Sequence, residues 1–254
     1  MVVIGVDIGS VATKGILISD GVQYKTMFPT GWSPRDASDA VIAQLLHLSG
    51  IEDHRVTRIF GTGYGRVAFD RADKTVTEIK CHARGIAELL PEVRTIIDIG
   101  GQDSKVIRIG DRGQVVDFAM NDKCAAGTGR FLQVMATALG LDVSELGAAE
   151  DSAKRLPISS MCTVFAESEI IGLVAKGNPK GGIVAGLHQS VGKRVAAMAK
   201  RLGLHGPIAF TGGVAINQGV KRALEEELGS PVIVSEACQY TGALGAALLA
   251  LENI

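Results

Sequence analysis

The side chains whose types and spacing could do chemistry are concentrated in Asp98-Ile99-Gly100-Gly101-Gln102-Asp103-Ser104-Lys105. The β-branched, apolar run Thr95-Ile96-Ile97 leads into this stretch and reads as a buried strand. The strand breaks on Gly100-Gly101 and resumes as Val106-Ile107-Arg108-Ile109. Two glycines between strands permit a turn with φ > 0 and let a ligand approach bare backbone N–H groups. Asp98, at the strand end, is placed to hold a cation beside whatever anion the loop cradles. That is the chemistry of a phosphate-binding hairpin, although a Gly-Gly hairpin is also a common structural turn.

The chain carries the pattern twice. Asp7-Ile8-Gly9-Ser10-Val11-Ala12-Thr13-Lys14 aligns without gaps on Asp98–Lys105, with Asp, Ile, Gly and Lys matched and Thr13 opposite Ser104. The offset of 91 residues is too long for a solenoid period. It points to two homologous domains, each offering one hairpin to a shared ligand. A third glycine site, Phe210-Thr211-Gly212-Gly213-Val214-Ala215, reads as strand, Gly-Gly, helix start, and a helix N-terminus favours anions. Together the three fit a nucleotide, with phosphates at the hairpins and adenosine near Gly212-Gly213.

The elements that must position these residues follow from periodicity. Val2–Val6, Gly15–Ser19 and Val22–Phe28 read as a strand meander, and Pro34 opens a helix running to about Ser49. Val56–Gly61 returns as a strand, Gly61–Gly65 as a turn and helix entry, and Thr77–Leu90 as a helix stopped by Pro91. The second half repeats the plan with a strand at Gln114–Met120, then helices at Ala125–Leu139, Val164–Lys176 and Gly182–Leu202. Pro207–Thr211 and Pro231–Val234 read as strands, Ala215–Leu228 as a helix, and Tyr240–Leu251 as a final Gly- and Ala-rich helix suited to packing on backbone. The expected architecture is α/β: a duplicated pair of mixed sheets with helices and a cleft between two domains. Residues 1–96, completed by the C-terminal helix 240–254, form one domain, and residues 97–239 the other.

Composition narrows the function. The 254 residues are 46% hydrophobic and 21% charged with net charge −1, so nothing favours nucleic acid. The longest apolar stretch is too short to span a bilayer, and Met1–Gly5 shows no basic leader, so the expected location is cytoplasmic, with no membrane partner. Cys81, Cys124, Cys162 and Cys238 are too widely spaced for a disulfide framework and read as thiols or ligands. Cys238 and Cys81 read as small buried hydrophobes. Cys124 and Cys162 each precede an expected helix, where an N-terminus stabilises the thiolate.

Several motifs resemble those of the acetate and sugar kinase, Hsp70 and actin superfamily: Asp7-Ile8-Gly9-Ser10, Asp98–Lys105, Phe210–Ala215 and Gln239-Tyr240-Thr241-Gly242-Ala243. Asn121-Asp122-Lys123-Cys124-Ala125-Ala126-Gly127-Thr128-Gly129 and Ser159-Ser160-Met161-Cys162-Thr163 more narrowly resemble the activators, or component A, of 2-hydroxyacyl-CoA dehydratases. That family takes in the ATPase subunits of benzoyl-CoA reductase. The resemblance implies a two-domain actin-like, ribonuclease H-like ATPase. It further implies a homodimer bridged by one [4Fe-4S] cluster, with Cys124 and Cys162 as each chain's ligands. Clusters usually take four thiolates, so one chain offers half a site and a two-fold axis the rest.

Under that resemblance, Asp7 and Asp98 hold Mg²⁺, mostly through water. Backbone N–H groups of Gly9, Ser10, Gly100 and Gly101, with the Thr13 hydroxyl, cradle the phosphates of ATP or ADP. Lys14 and Lys105 neutralise charge, and Gln102 or Asp103 orients the attacking water. Gly127 and Gly129 lie at the domain connection, and Asn217 and Lys221 near the adenosine. The implied function is ATP-driven transfer of one low-potential electron from ferredoxin or flavodoxin to a 2-hydroxyacyl-CoA dehydratase or related reductase. The alternative is a small-molecule kinase of the same fold, which needs no paired cysteines. A filament or chaperone ATPase would need more chain than this.

Overall fold

The computed structural model describes residues 1–159 and 162–253; Ser160 and Met161 of the second cysteine motif, and Ile254 of the C-terminal segment, lie outside the described residues. By its contacts the chain divides into two compact units. One comprises Met1–Ile96, Ile107–Asp117 and Ser235–Ile254, and the other Ile97–Val106 and Phe118–Val234.

The first unit is built on a five-stranded mixed sheet of β1 (Val2–Ile8), β2 (Ala12–Ser19), β3 (Val22–Pro29), β4 (Arg58–Thr62) and β5 (Lys74–Thr75). Their order is β3-β2-β1-β4-β5, with β1 antiparallel to β2 and parallel to β4. The central strand β1 is buried along its whole length, which is why it reads as a continuous apolar run. Edge strand β3 is partly exposed throughout.

Helix α1 (Pro34–Ser49) covers one face with Val41, Ile42 and Leu45. Ser33 caps it by accepting from the Asp36 N–H, Pro34 occupies the first turn, and Gly50 ends it in the left-handed region. Helix α2 (Glu78–Leu89) and the C-terminal helix pack on the other side, where Ala243, Ala246 and Ala247 join Val3, Ile16 and Phe60 in one core. The small residues have a reason: a side chain on Gly5 would collide with the backbone at Ala243 and Ala247, and one on Gly85 with the Thr241 carbonyl.

The second sheet repeats the order. Strands β6 (Thr95–Ile99), β7 (Ser104–Ile109), β8 (Val115–Asn121), β9 (Ile208–Thr211) and β10 (Val232–Ile233) run β10-β9-β6-β7-β8. In strand order β6 stands where β1 does, β7 where β2 does and β9 where β4 does, so the duplication seen around the two Asp-Gly hairpins extends across the sheet. Where the first unit inserts residues 30–57 between its third and fourth strands, the second inserts residues 122–207. This longer insertion carries α3 (Gly129–Ala138), α4 (Leu146–Ala149), α5 (Thr163–Ala175) and α6 (Lys180–Leu202), and with them Cys124 and Cys162. Helices α7 (Gln218–Leu228) and α8 (Thr241–Glu252) follow.

Three expectations are corrected. The helix expected from Ala125 begins only at Gly129: Gly127 takes φ +86°, Thr128 is extended, and the Thr128 hydroxyl donates to the Ala125 carbonyl. Cys124 therefore sits in a loop ahead of the helix. The helix expected from Ala215 splits into a 3₁₀ turn, Gly213–Ile216, and α7, because Asn217 is extended and caps the latter. Asp7, expected in the loop, lies within β1, paired in register with Lys14 on β2.

Candidate nucleotide loops and cysteine sites

In the first unit the Asp7 carboxylate is buried, with Lys14 Nζ 3.7 Å from Oδ2. The Gly9 N–H closes the turn onto the Ala12 carbonyl at 3.2 Å. The Thr13 hydroxyl is fully buried and lies 2.9 Å from that of Thr30, which donates to the Gly9 carbonyl at 2.7 Å. Thr13 thus braces the loop from beneath, and the solvent-reaching tip is Ser10-Val11.

The second unit repeats this with more charge. The Gly100 N–H closes onto the Asp103 carbonyl at 3.0 Å, leaving Gly101-Gln102 as the tip. Lys105, itself buried, places Nζ 2.6 Å from Asp103 Oδ2 and 3.7 Å from Asp98 Oδ2. The Thr211 hydroxyl donates to Asp98 Oδ1 at 2.8 Å. The Lys105 ammonium and the Thr211 hydroxyl both orient the Asp98 carboxylate. Asp103 occupies the position held by Ala12 in the first loop, so only this loop offers a second carboxylate for handling water.

Sequence reasoning missed what closes around each aspartate. Gly63 (φ 91°, ψ 173°) and Gly212 (φ 90°, ψ 178°) have the same backbone conformation, each directly after the strand that neighbours the first strand of its hairpin. A Cβ on Gly63 would lie 2.6 Å from Asp7 Oδ1, and one on Gly212 3.0 Å from Asp98 Oδ1. At both positions φ and space admit only glycine. The signal was present as a second repeat, Gly61-Thr62-Gly63 against Phe210-Thr211-Gly212, hidden by the unequal insertions. Gly242 at the head of α8 completes the first site, with a Cβ there 2.9 Å from Asp7 Oδ2.

Gly129 is brought to the Asp98 loop directly. Its N–H donates to the Gly100 carbonyl at 2.9 Å, and the Arg130 N–H donates to the Gly101 carbonyl at 2.7 Å. The first N–H groups of α3, which have no partner within the helix, are thus spent on the glycine loop. The preceding loop is held as well: Asn121 Nδ2 donates to the Cys124 carbonyl at 2.8 Å and to the Ala126 carbonyl at 3.1 Å. Gly127 lies against the Arg194 side chain. Asn217 caps α7, and Lys221 is paired with Glu225 at 2.9 Å on its own helix, so their side chains are engaged locally.

Cys124 is half-buried, Cys162 is exposed as the N-cap residue of α5, and both are free thiols. Among the described residues no group of three or more Cys, His, Asp or Glu is gathered for a metal ion. Cys81 and Cys238 are buried, and burial pushes the Cys81 thiol up to about 12. No described helix is long and apolar enough to cross a membrane.

Residues 4–250 match the BadF/BadG/BcrA/BcrD ATPase family. The chain belongs to that family. Over 98% of its length it is 46% identical to the (R)-2-hydroxyglutaryl-CoA dehydratase activating ATPase of Acidaminococcus fermentans, covering 97% of that protein. It is also 46% identical to the activator of lactoyl-CoA dehydratase of Anaerotignum propionicum, over 99% of this chain and 98% of that one. The solved structure of the 2-hydroxyisocaproyl-CoA dehydratase activator of Clostridium difficile with bound ADPNP superposes with a TM-score of 0.91 at 44% identity, covering 100% of this chain and 95% of that chain. The two-domain actin-like α/β fold of an ATPase is therefore shared with these relatives, and the small-molecule kinase alternative gains no support from them.

Proposed function

We propose that this protein is an ATP-driven activator that passes one low-potential electron from ferredoxin or flavodoxin to a 2-hydroxyacyl-CoA dehydratase or a related reductase. The relatives' names support the partner class, and the ADPNP-bound neighbour supports the nucleotide. The observation that carries the coupling is the pair of hydrogen bonds from Gly129 and Arg130 to Gly100 and Gly101. A phosphate accepting from the N–H groups of the glycine loop shifts the peptides whose carbonyls anchor the head of α3, a few residues beyond Cys124. Two states of one bonded element, biased by ligand at one end, are what such linkage requires.

Each Asp-Gly hairpin serves in this reading as a phosphate-holding loop. The buried carboxylates of Asp7 and Asp98, each beside a lysine ammonium, suit water-mediated Mg²⁺. Asp103, restrained by Lys105, orients the attacking water with Gln102 at the tip. Lys14 and Lys105 offset phosphate charge, so catalysis is positioning and charge stabilisation.

Cys124 and Cys162 fit a [4Fe-4S] group shared across a homodimer. Two free thiols on one chain, one half-buried and one exposed, make half a four-thiolate site. Such a group, when bound, supplies a one-electron carrier. The chain's part is to hold two thiols, that of Cys124 on a segment tied to the nucleotide loop, in a reducing cytoplasm that keeps them unoxidised.

Anaerobically purified protein is expected to be brown, with about four irons per dimer, and to hydrolyse ATP. Cys124→Ser is expected to lose the iron and keep nucleotide binding. A colourless anaerobic preparation that turns over ATP, or unchanged iron in Cys124→Ser, would refute the cluster assignment.

A further inference from the structure

A buried polar chain in the second unit remains unused by the reading above. His188 on α6 is 1% exposed. Its Nδ1 lies 2.8 Å from Glu150 Oε2, and its Nε2 lies 3.2 Å from Asn217 Nδ2. Asn217 Oδ1 in turn accepts from the Gly219 and Val220 N–H groups at 2.9 and 3.1 Å, capping α7. The Glu150 carboxylate also accepts from Arg222 on α7 at 2.8 Å and from the Ser152 hydroxyl. Gly219 makes the arrangement possible, because any Cβ there would collide with His188 Nδ1 and Glu150 Oε2.

Only one protonation state satisfies every contact. A carboxylate can only accept, so Nδ1 carries the hydrogen. Nε2 is then a lone pair, so Asn217 must present its NH₂ to the ring and its oxygen to the helix. A proton on Nε2 would set donor against donor. The amide would have to turn over or withdraw, and either movement removes the cap. Asn217 also ends the Gly213–Ile216 turn, its N–H donating to the Val214 carbonyl at 2.9 Å.

We propose that His188 is a positioning residue for nucleotide binding: neutral, it orients Asn217 so that the α7 cap and the adjoining Gly213–Ile216 turn hold the nucleotide, and protonation releases both. This rests on the reading of Gly212-Gly213 as a nucleotide loop. The direction of the pH effect follows from the surroundings. Burial holds His188 below its ordinary 6.5; the hydrogen bond and charge of Glu150 oppose this, and Arg222 adds to it. Burial works against the Glu150 carboxylate, yet hydrogen bonds from Ser152 and His188 and the charge of Arg222 keep it below 4.5. Arg155 and Glu226, paired at 2.9 Å, are the next charges outward, and Glu150 acts on Arg155. With a native value below the unfolded one, the contribution of neutral His188 is full above about pH 6.5. It is lost as pH falls from there through the native value.

The test measures ADPNP affinity from pH 8 to 5.5 for the full-length protein and for His188→Gln. In parallel, hydrogen exchange is followed at the Gly219 and Val220 amides. Glutamine can still donate to Glu150 and accept from Asn217, but it takes up no proton. The wild type should lose roughly five-fold more affinity on acidification than His188→Gln, the size of one N-cap. Exchange at Gly219 and Val220, corrected for its intrinsic pH dependence, should accelerate over the same interval. Titration of the phosphate itself is common to both proteins, so the difference between the profiles reports His188. Equal acid limbs in the two proteins, or pH-independent protection of Gly219 and Val220 in the wild type, would overturn the proposal. The second readout stands even where the variant folds poorly. Absence of ADPNP binding at pH 8 would instead sink the ATP reading itself, whereas tight binding with no His188-dependent limb sinks this inference alone.

Discussion

Lys105→Met isolates the charge arrangement that distinguishes the second hairpin from the first. The Lys105 ammonium lies 2.6 Å from Asp103 and 3.7 Å from Asp98, with the Lys105 and Asp98 side chains almost wholly buried. Methionine keeps the apolar stem and adapts to the space, so the change removes charge more than packing. Breaking a buried ion pair by deleting one partner costs about 3–5 kcal/mol. For a chain of this size that lowers the unfolding midpoint by roughly 6–20 °C, at 2–4 °C per kcal/mol.

Lys14→Met is the internal control. Lys14 occupies the matched position, but its side chain is 15% exposed and it faces one carboxylate at 3.7 Å. The expected loss is smaller, about 1–3 kcal/mol, because one buried carboxylate rather than two loses its cation, and at the longer distance. Thermal and urea unfolding of the two variants measures the difference. The Lys105→Met deficit should also shrink as pH falls through the carboxylate range. Without the ammonium, the folded state prefers the protonated acids, so folding then takes up protons. A Lys14→Met deficit equal to or larger than that of Lys105→Met would refute the reasoning, as would a Lys105→Met deficit that grows on acidification.

Gly212→Ala should cost more than about 2 kcal/mol, because it combines a left-handed φ with a collision against the Ile99 carbonyl. Gly213→Ala should be nearly neutral, since a Cβ there meets nothing within 4 Å; comparable urea midpoints for the two variants would contradict this. In iron-free protein at pH 8, iodoacetamide should label exposed Cys162 quickly and spare Cys81, whose buried thiol stays protonated. Mass spectrometry showing Cys81 labelled before global unfolding would count against that burial.

Much of the architecture was legible in the chain because its signals are local. The β1 and β6 runs are apolar enough to be central strands, and Ser33-Pro34 and Gly50 mark both ends of α1. The hairpin repeat is visible because it is gapless, and the small-residue content of α8 announced its backbone contact with β1. The nearest-neighbour chemistry of each loop, an aspartate, glycines and a lysine at fixed spacing, also follows from sequence alone.

What sequence could not supply depends on residues distant along the chain. Thr211 reaches Asp98, and Gly63 and Gly242 close on Asp7, only because neighbouring strands and the C-terminal helix bring them there. The start of α3 moved from Ala125 to Gly129 because its N–H groups find carbonyls in the Gly100-Gly101 loop, a partner that helical propensity cannot foresee. Asn217 has the composition of a ligand-binding residue, yet tertiary packing commits it to capping α7 against His188. Sequence determined which residues can do chemistry and which strands carry them. Tertiary structure decided which of those side chains are already engaged, because a buried donor or acceptor must find its partner wherever the fold delivers one.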